Sequence, residues 1–357
     1  MRRRDFIKGV AGSAITWPLT ARAQQPAMPV IGWLSSLTPE GGKPNLVAFR
    51  KALADAGYVE GQNVQIEYRW TNGNYDQLPA MAADLVGRRV ALIVTSGGES
   101  PAFAAKAATA TIPIVMSMGG DPVKEGLVVS LNRPGANATG ATLYAYNMES
   151  KRLGLLHEAV PGAKAIAVLV NPASLAADSQ TREVQEAAPR LGVEVIIFNA
   201  HGANEFESLF AAMTERKAGA LLVTADPSLY NERGRLIALA AQHRLPAIYE
   251  WRLHAVEGGL MSYGTVLTDA YSQLGRYAGR ILNGEKPGDL PVMQPTNFQF
   301  VINLKTAKNT RIGNPTHTFG SCRRGYRITT FFTAVRNVRF WHKADISRLS
   351  PDVRFWG

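Results

Sequence analysis

From Met28 onward, short β-branched apolar runs alternate with stretches whose apolar residues recur at helical spacing. PVIGWLSS is expected as a strand, and NLVAFRKALADAGY as a helix that stops at Gly57. NVQIEYRW reads as a second strand, YDQLPAMAADLVGRR as a helix, and VALIVTSG as a strand buried on both faces. PAFAAKAATA and IPIVMSMG continue as helix and strand. After residue 150 the alternation restarts. ESKRLGLLHEAVP, SQTREVQEAAPRLG, FESLFAAMTERKA and ERGRLIALAAQHR are helical; AIAVLVNP, VEVIIFNA, GALLVTAD and PAIYEW are strands. Alternation at this pitch predicts parallel sheets covered by helices on both faces. Two such arrays predict an α/β protein of two doubly wound, Rossmann-like lobes.

Ligands bind such sheets at the carboxyl ends of their strands, and those ends share a chemistry here. In the first array they are Ser35-Ser36, Thr95-Ser96-Gly97-Gly98 and Ser117-Met118-Gly119-Gly120-Asp121. In the second they are Asn171-Pro172, Thr224-Ala225-Asp226 and Glu250-Trp251. Small hydroxyl and glycine residues let backbone N–H groups approach a ligand and donate to a carboxylate. Asp226 or Glu250 can pair with an ammonium. The same residue types also build turns and helix caps, but as a set they line one cleft if the lobes face each other. Tyr144, Tyr146, Trp251 and Tyr263, near strand ends or crossings, are candidates for stacking on an apolar ligand or for ordinary packing.

The leader changes the compartment. Arg2, Arg3 and Arg4 precede a short, weakly apolar stretch from Gly9 to Leu19, and Ala21-Arg22-Ala23 is a small-x-small cleavage pattern, cut after Ala23. Arg3-Arg4-Asp5-Phe6-Ile7-Lys8 is a twin-arginine pattern. The apolar stretch falls well short of the ~20 residues that span a bilayer. The expectation is a protein exported in folded form to the periplasm.

Charge first suggests a polyanion partner, since the chain carries a formal net +11. The leader 1–23 holds a net +4 and residues 309–357 a net +7, which together account for all of it. The body is neutral, so a nucleic-acid partner is not expected. The single cysteine, Cys322, lies in the tail, so the body has neither a disulfide nor thiolate chemistry. Its length suffices for two cores of ordinary domain size.

No Gly-x-Ser-x-Gly elbow, Gly-x-x-x-x-Gly-Lys loop or His-Glu-x-x-His pair occurs. His157, His201, His243 and His254 sit singly on or beside helical stretches. Catalysis, a metal and a cofactor are therefore not expected.

MPVIGWLSS, LADAGYVEGQNVQIEYRW, VALIVTSG, IPIVMSMGGDPVKEGLVVSLNRPGANATG and VINLKTAK resemble the solute-binding proteins of bacterial ABC transporters. The resemblance spans about residues 28–308 and is to the group that includes tryptophan and tyrosine binders. It implies a type I periplasmic binding protein, with two lobes joined by three crossings and closing on a small molecule. That molecule would pass to an inner-membrane permease, and the protein would act as a monomer. Lobe 1 is expected over 28–145 with about 265–290 returning to it; lobe 2 over 146–264 with about 291–308. Carried over, the pocket uses Ser35, Ser96, Ser117, Asn171 and Asp226, with Tyr263 near a hinge crossing. The full candidate set adds Ser36, Gly97, Asp121 and Glu250. A sensor module for a membrane receptor, and more remotely an exported hydrolase, stay open as alternatives.

After VINLKTAK the family pattern continues like ALGL-x-IPP-x-LLARADEVIE, whereas this chain reads NTRIGNPTHTFGSCRRGYRITTFF. Asn309 through Thr329 can be encoded by a string that, shifted one base, reads TLGLAIPPTLLARADEVIE and then a stop. Third bases are free in that exercise, but second bases are not. A single-base frameshift near Lys308, either genuine or a sequencing error, is therefore expected, with read-through to Gly357. On that reading the repeated Val-Arg-Phe-Trp at 338–341 and 353–356 is translated non-coding DNA rather than a stacking surface for nucleic acid.

Overall fold

The computed structural model describes residues 28–310. The leader, and the tail from 311 with most of the stretch expected to be frameshifted, lie outside the described residues.

The first half builds one sheet with its covering helices. In chain order these are β1 (Val30–Ser35), α1 (Pro39–Asp55), β2 (Gln65–Trp70), α2 (Leu78–Gly87), β3 (Leu92–Ser96), α3 (Glu99–Ala108), β4 (Ile114–Met118) and β5 (Ala138–Thr142). All strands are parallel, in the order β2-β1-β3-β4-β5. β3 and β4 are buried along their whole length, because helices cover both faces and no strand residue has a solvent side.

The second half repeats the plan. It runs α4 (Glu149–Ala159), β6 (Ala165–Val170), α5 (Ala177–Leu191), β7 (Glu194–Asn199), α6 (Phe206–Glu215), β8 (Ala220–Val223), α7 (Pro227–Asn231), α8 (Arg233–Gln242), β9 (Ala247–Tyr249), α9 (Arg252–Val256) and β10 (Met261–Thr265). Next come α10 (Leu267–Leu282), β11 (Phe298–Ile302) and α11 (Leu304–Asn309). The sheet order is β7-β6-β8-β9-β10, as in the first sheet, with β11 added antiparallel to β10. Strand order therefore reverses between β1 and β3 and again between β6 and β8. At such points neighbouring connections diverge and leave a crevice at the carboxyl ends.

α10 lies against the first sheet although it follows the second. Its Tyr271, Leu274, Tyr277, Ala278 and Ile281 join Trp33, Phe49 and Leu53 in one apolar core. Two glycines let it approach α1. A Cβ on Gly275 would lie 2.3 Å from the Phe49 carbonyl oxygen, and one on Gly279 would lie 2.4 Å from Ala56 Cβ. The chain thus passes between the sheets at 143–148, at 265–267 and at 294–297.

Two differences from the sequence reading have plain causes. α1 starts at Pro39, ahead of its apolar repeat, because Thr38 Oγ1 caps the Gly41 N–H at 3.0 Å and proline suits a first turn. β5 is Ala-Thr-Gly-Ala-Thr, which carries no large apolar side chain to mark it. Its Gly140 lies so close to β4 that a Cβ would sit 1.9 Å from the Met116 carbonyl oxygen.

Candidate functional site

The carboxyl ends of both sheets face one cleft. Its lining includes Gly97, Gly98, Ser117, Gly119 and Tyr271 from one side, and Ala225, Asp226, Tyr230 and Trp251 from the other, with Tyr146 on a crossing. The space open to the centres of water molecules is about 50 Å³, room for a few waters.

The first wall is made of tight turns after β3 and β4. Gly97 and Gly98 both have positive φ, 81° and 86°, which side chains rarely adopt. Ser36 Oγ donates to the Gly97 carbonyl and so fixes the first turn. Glu99, in the first turn of α3, reaches across and accepts from Gly120 N at 2.5 Å, tying the two glycine turns together. Burial pushes the Glu99 carboxyl up, opposed by hydrogen bonds from Tyr146 and from the 119–120 backbone. Tyr146 lies flat on Gly119, where a Cβ would sit 2.5 Å from its Cζ. Ser117 Oγ is buried on this wall near the Tyr271 hydroxyl but makes no well-formed hydrogen bond, which leaves an unused polar group beside the cavity.

Asp226 dominates the second wall. Its Oδ1 accepts from Asn171 Nδ2 at 3.0 Å, Ser228 N at 2.9 Å and Leu229 N at 3.1 Å. Its Oδ2 accepts from the Tyr75 hydroxyl of the opposite lobe at 3.1 Å. Burial raises its pKa, and these donors oppose the rise. The carboxylate is thus held rigidly at the cleft, with its Oδ2 face less used than its Oδ1 face.

The lobes also touch away from the cavity. Asn231, at the end of α7, accepts from Thr38 N at 3.0 Å and donates to the Ser36 carbonyl at 3.3 Å. One amide side chain therefore pairs with both polarities of the opposing backbone, as a strand would.

Of the sequence candidates, Gly97, Ser117 and Asp226 line the cavity. Ser36 and Asn171 stand directly behind them as supports. Ser35 Oγ accepts from Leu37 N at 3.1 Å, and Ser96 Oγ bonds the Tyr271 hydroxyl at 2.7 Å, so both brace the wall from behind. Asp121 caps the turn at Val123 N, 3.0 Å away, and is not among the lining residues. Glu250 is fully buried behind the second wall with neither carboxylate oxygen hydrogen-bonded. Burial pushes it up to about 8. Its neighbour His254, Nε2 3.9 Å away, is driven down to about 3 by burial. Both are therefore neutral near pH 7, and their approach is not an ion pair. The His254 ring instead stacks on Tyr249 at 4.7 Å.

Among the aromatic candidates, Tyr146 and Trp251 line the cavity. Tyr263 packs in the second core, its ring 6.3 Å from Phe298. Tyr144 occupies the left-handed region, φ 45°, at the start of the first crossing. Asn45, Tyr230 and Tyr271 also line the cavity, and the strand-end pattern does not point to them. They sit on helices, where no such signal marks them; the amphipathic face of α10 is the available clue to Tyr271.

Among the described residues no three His, Cys, Asp or Glu side chains converge as metal ligands do. What the walls offer is hydroxyl groups and glycine-turn backbone on one side, and a carboxylate with aromatic rings on the other. That is the chemistry of holding a small amphoteric molecule.

The model for ABC transporter substrate binding proteins matches residues 44–318. A tyrosine-binding protein of Clostridioides difficile (strain R20291) is 29% identical over 266 residues, covering 73% of this chain and 74% of its own. A conserved domain protein from Vibrio cholerae superposes with a TM-score of 0.76 at 24% identity, over 86% of this chain and 100% of its own. An ABC domain from Streptococcus pneumoniae in complex with L-Trp gives 0.71 at 24% identity, over 81% and 97%.

Proposed function

The chain belongs to the ABC transporter substrate-binding protein family, and from that premise we propose that it captures an amino acid by lobe closure and delivers it to a membrane permease for import. Family membership makes it a binding protein and not an enzyme. The observation that carries the ligand class is the pairing of opposite chemistries across one cleft. Ser117 Oγ stands beside the glycine turns on one wall, with only the Tyr271 hydroxyl near it and no well-formed hydrogen bond, and the Asp226 carboxylate faces them from the other. A ligand carboxylate sits at the first wall, its ammonium at Asp226 Oδ2, and its side chain against Tyr146, Tyr230 and Trp251. The tyrosine binder and the L-Trp complex among the relatives favour an aromatic side chain.

Closure is driven by contacts that the ligand makes only when both walls reach it. The hinge is the set of three crossings, with 28–145 and about 265–293 moving against 146–264 and about 294–308; Val292 and Met293 stay with the first lobe, bonded to Leu131, Gly140 and Thr142. The leader directs twin-arginine export and is cut after Ala23, which places the protein in the periplasm. The ending after Lys308 is read as frameshifted.

Titration calorimetry with L-tyrosine, L-tryptophan, L-leucine and D-ribose tests the ligand class. Saturable one-to-one binding of an amino acid is expected. Binding of the sugar alone, or of none of the four by folded protein, rejects the amino-acid reading.

A further inference from the structure

The second lobe buries an ion pair that the cleft itself does not use. Glu149 and Arg152, in the first turn of α4, are both 0% exposed. Glu149 Oε1 accepts from Arg152 Nη1 at 2.7 Å, from Gln180 Nε2 at 3.2 Å and from Ala225 N at 3.0 Å. The same Gln180 amide donates to the Ala225 carbonyl at 2.8 Å. Both ends of residue 225, which directly precedes Asp226, are thus held by side chains from α4 and α5. On its other side Arg152 Nε donates to the Tyr263 carbonyl at 2.9 Å, two residues before β10 ends and the chain crosses to α10. Its own N–H bonds Met148 O at 2.9 Å, at the end of the first crossing.

A buried pair of this kind is weak evidence for stability, since apolar residues of similar volume often serve as well. Its directional bonds do something that apolar contacts do not: they fix angles between three separate segments. Here the segments are the roots of two hinge crossings and the strand end that carries the cleft carboxylate.

We propose that Glu149 and Arg152 are positioning residues that lock the Asp226 wall to the hinge, so that closing the lobes brings the carboxylate to the ligand in register. The proposal rests on the cleft being the ligand site. Loss of the pair leaves a lobe that folds but presents Asp226 loosely, and affinity falls without any ligand contact being removed.

The full chain is compared with Arg152→Met, with the double variant Glu149→Gln/Arg152→Met, and with Val184→Ala, a buried position in the same core. Arg152→Met alone strands a buried carboxylate and serves only to show that cost by its lowered Tm. The double variant removes the stranded charge, while the introduced amide oxygen still accepts from Ala225 N, so it folds. Its L-tryptophan affinity is expected to fall at least tenfold, and the Ala225 and Thr265 amides to exchange at least tenfold faster. Val184→Ala is expected to lose Tm yet keep its affinity. Wild-type affinity in the double variant overturns the proposal, as does an equal loss in Val184→Ala. If the wild type binds neither L-tryptophan nor L-tyrosine, the aromatic reading fails by itself, and the amide exchange alone decides the positioning role.

Discussion

Replacing Asp226 by asparagine separates the charge of the second wall from its shape. The three donors on Oδ1, from Asn171, Ser228 and Leu229, find the same acceptor in an asparagine. The cap at the start of α7 is preserved, because asparagine and aspartate cap about equally well. At Oδ2 the new amide donates to the Tyr75 hydroxyl, which reverses that bond without breaking it. Stability should therefore change by less than about 1 kcal/mol. What disappears is the charged acceptor for a ligand ammonium. Hydrogen bonds to charged groups contribute about 1.5–3 kcal/mol, so affinity for L-tryptophan should fall about 10- to 150-fold.

Calorimetry with indole-3-propionate closes the cycle, since that analogue keeps the ring and carboxylate but lacks the ammonium. It should bind wild type and variant alike, because it never meets the charge. An equal loss for both ligands would refute an ammonium at Asp226 and point to wall distortion instead. The pH dependence has a defined sign. Burial raises the Asp226 pKa, so affinity should decline on acidification from a higher pH than an ordinary aspartate allows, and the variant should lack that decline.

Four further outcomes follow from other parts of the structure. Asn231→Ala removes two bonds between the lobes and touches nothing in the cavity; at about 1 kcal/mol per bond it should weaken ligand binding about 5- to 30-fold and enlarge the ligand-free radius of gyration in X-ray scattering. Gly119→Ala forces a Cβ to within 2.5 Å of Tyr146 Cζ; it should cost about 1–3 kcal/mol in urea unfolding, and nearly nothing further when introduced into a Tyr146→Ala background, whose own cavity cost is measured separately. Glu250→Gln should gain a few kcal/mol over wild type at pH 8 and little at pH 5. The raised Glu250 pKa of about 8 makes wild-type stability fall as pH rises from about 4.5 through 8, while the lowered His254 value of about 3 makes it rise with pH up to about 6.5. Sequencing the gene should give codons after Lys308 that read TLGLAIPPTLLARADEVIE in the shifted frame; codons incompatible with that string end the frameshift reading.

The parts of this molecule legible in the sequence are those where one residue's position is dictated by its own strand. A parallel strand buried on both faces is a run of apolar residues that must end where the chain turns. The residues after that end are therefore located in space as soon as the run is seen. Gly97, Ser117 and Asp226 are located this way, and they line the cleft. The same logic misplaces a side chain when a turn has its own needs, as at Asp121, whose carboxylate is spent on the turn's N–H groups. It also fails at Glu250, which directly follows β9 yet turns inward against His254.

Residues brought in by tertiary contact carry no such local mark. Tyr271 reaches the cleft only because α10 returns to the first sheet and packs at glycine distance on α1. Its hydroxyl then takes Ser96, a side chain whose strand-end position alone makes it a ligand candidate. The hydroxyls at β1 and β3 are thus partly consumed in bracing the wall, whereas Ser117 Oγ lines the cavity without a well-formed hydrogen bond. Specificity in this fold is accordingly divided. The strand ends supply the polar groups of the cleft, and the helices that cross or return decide which of those groups remain available and what fits beside them.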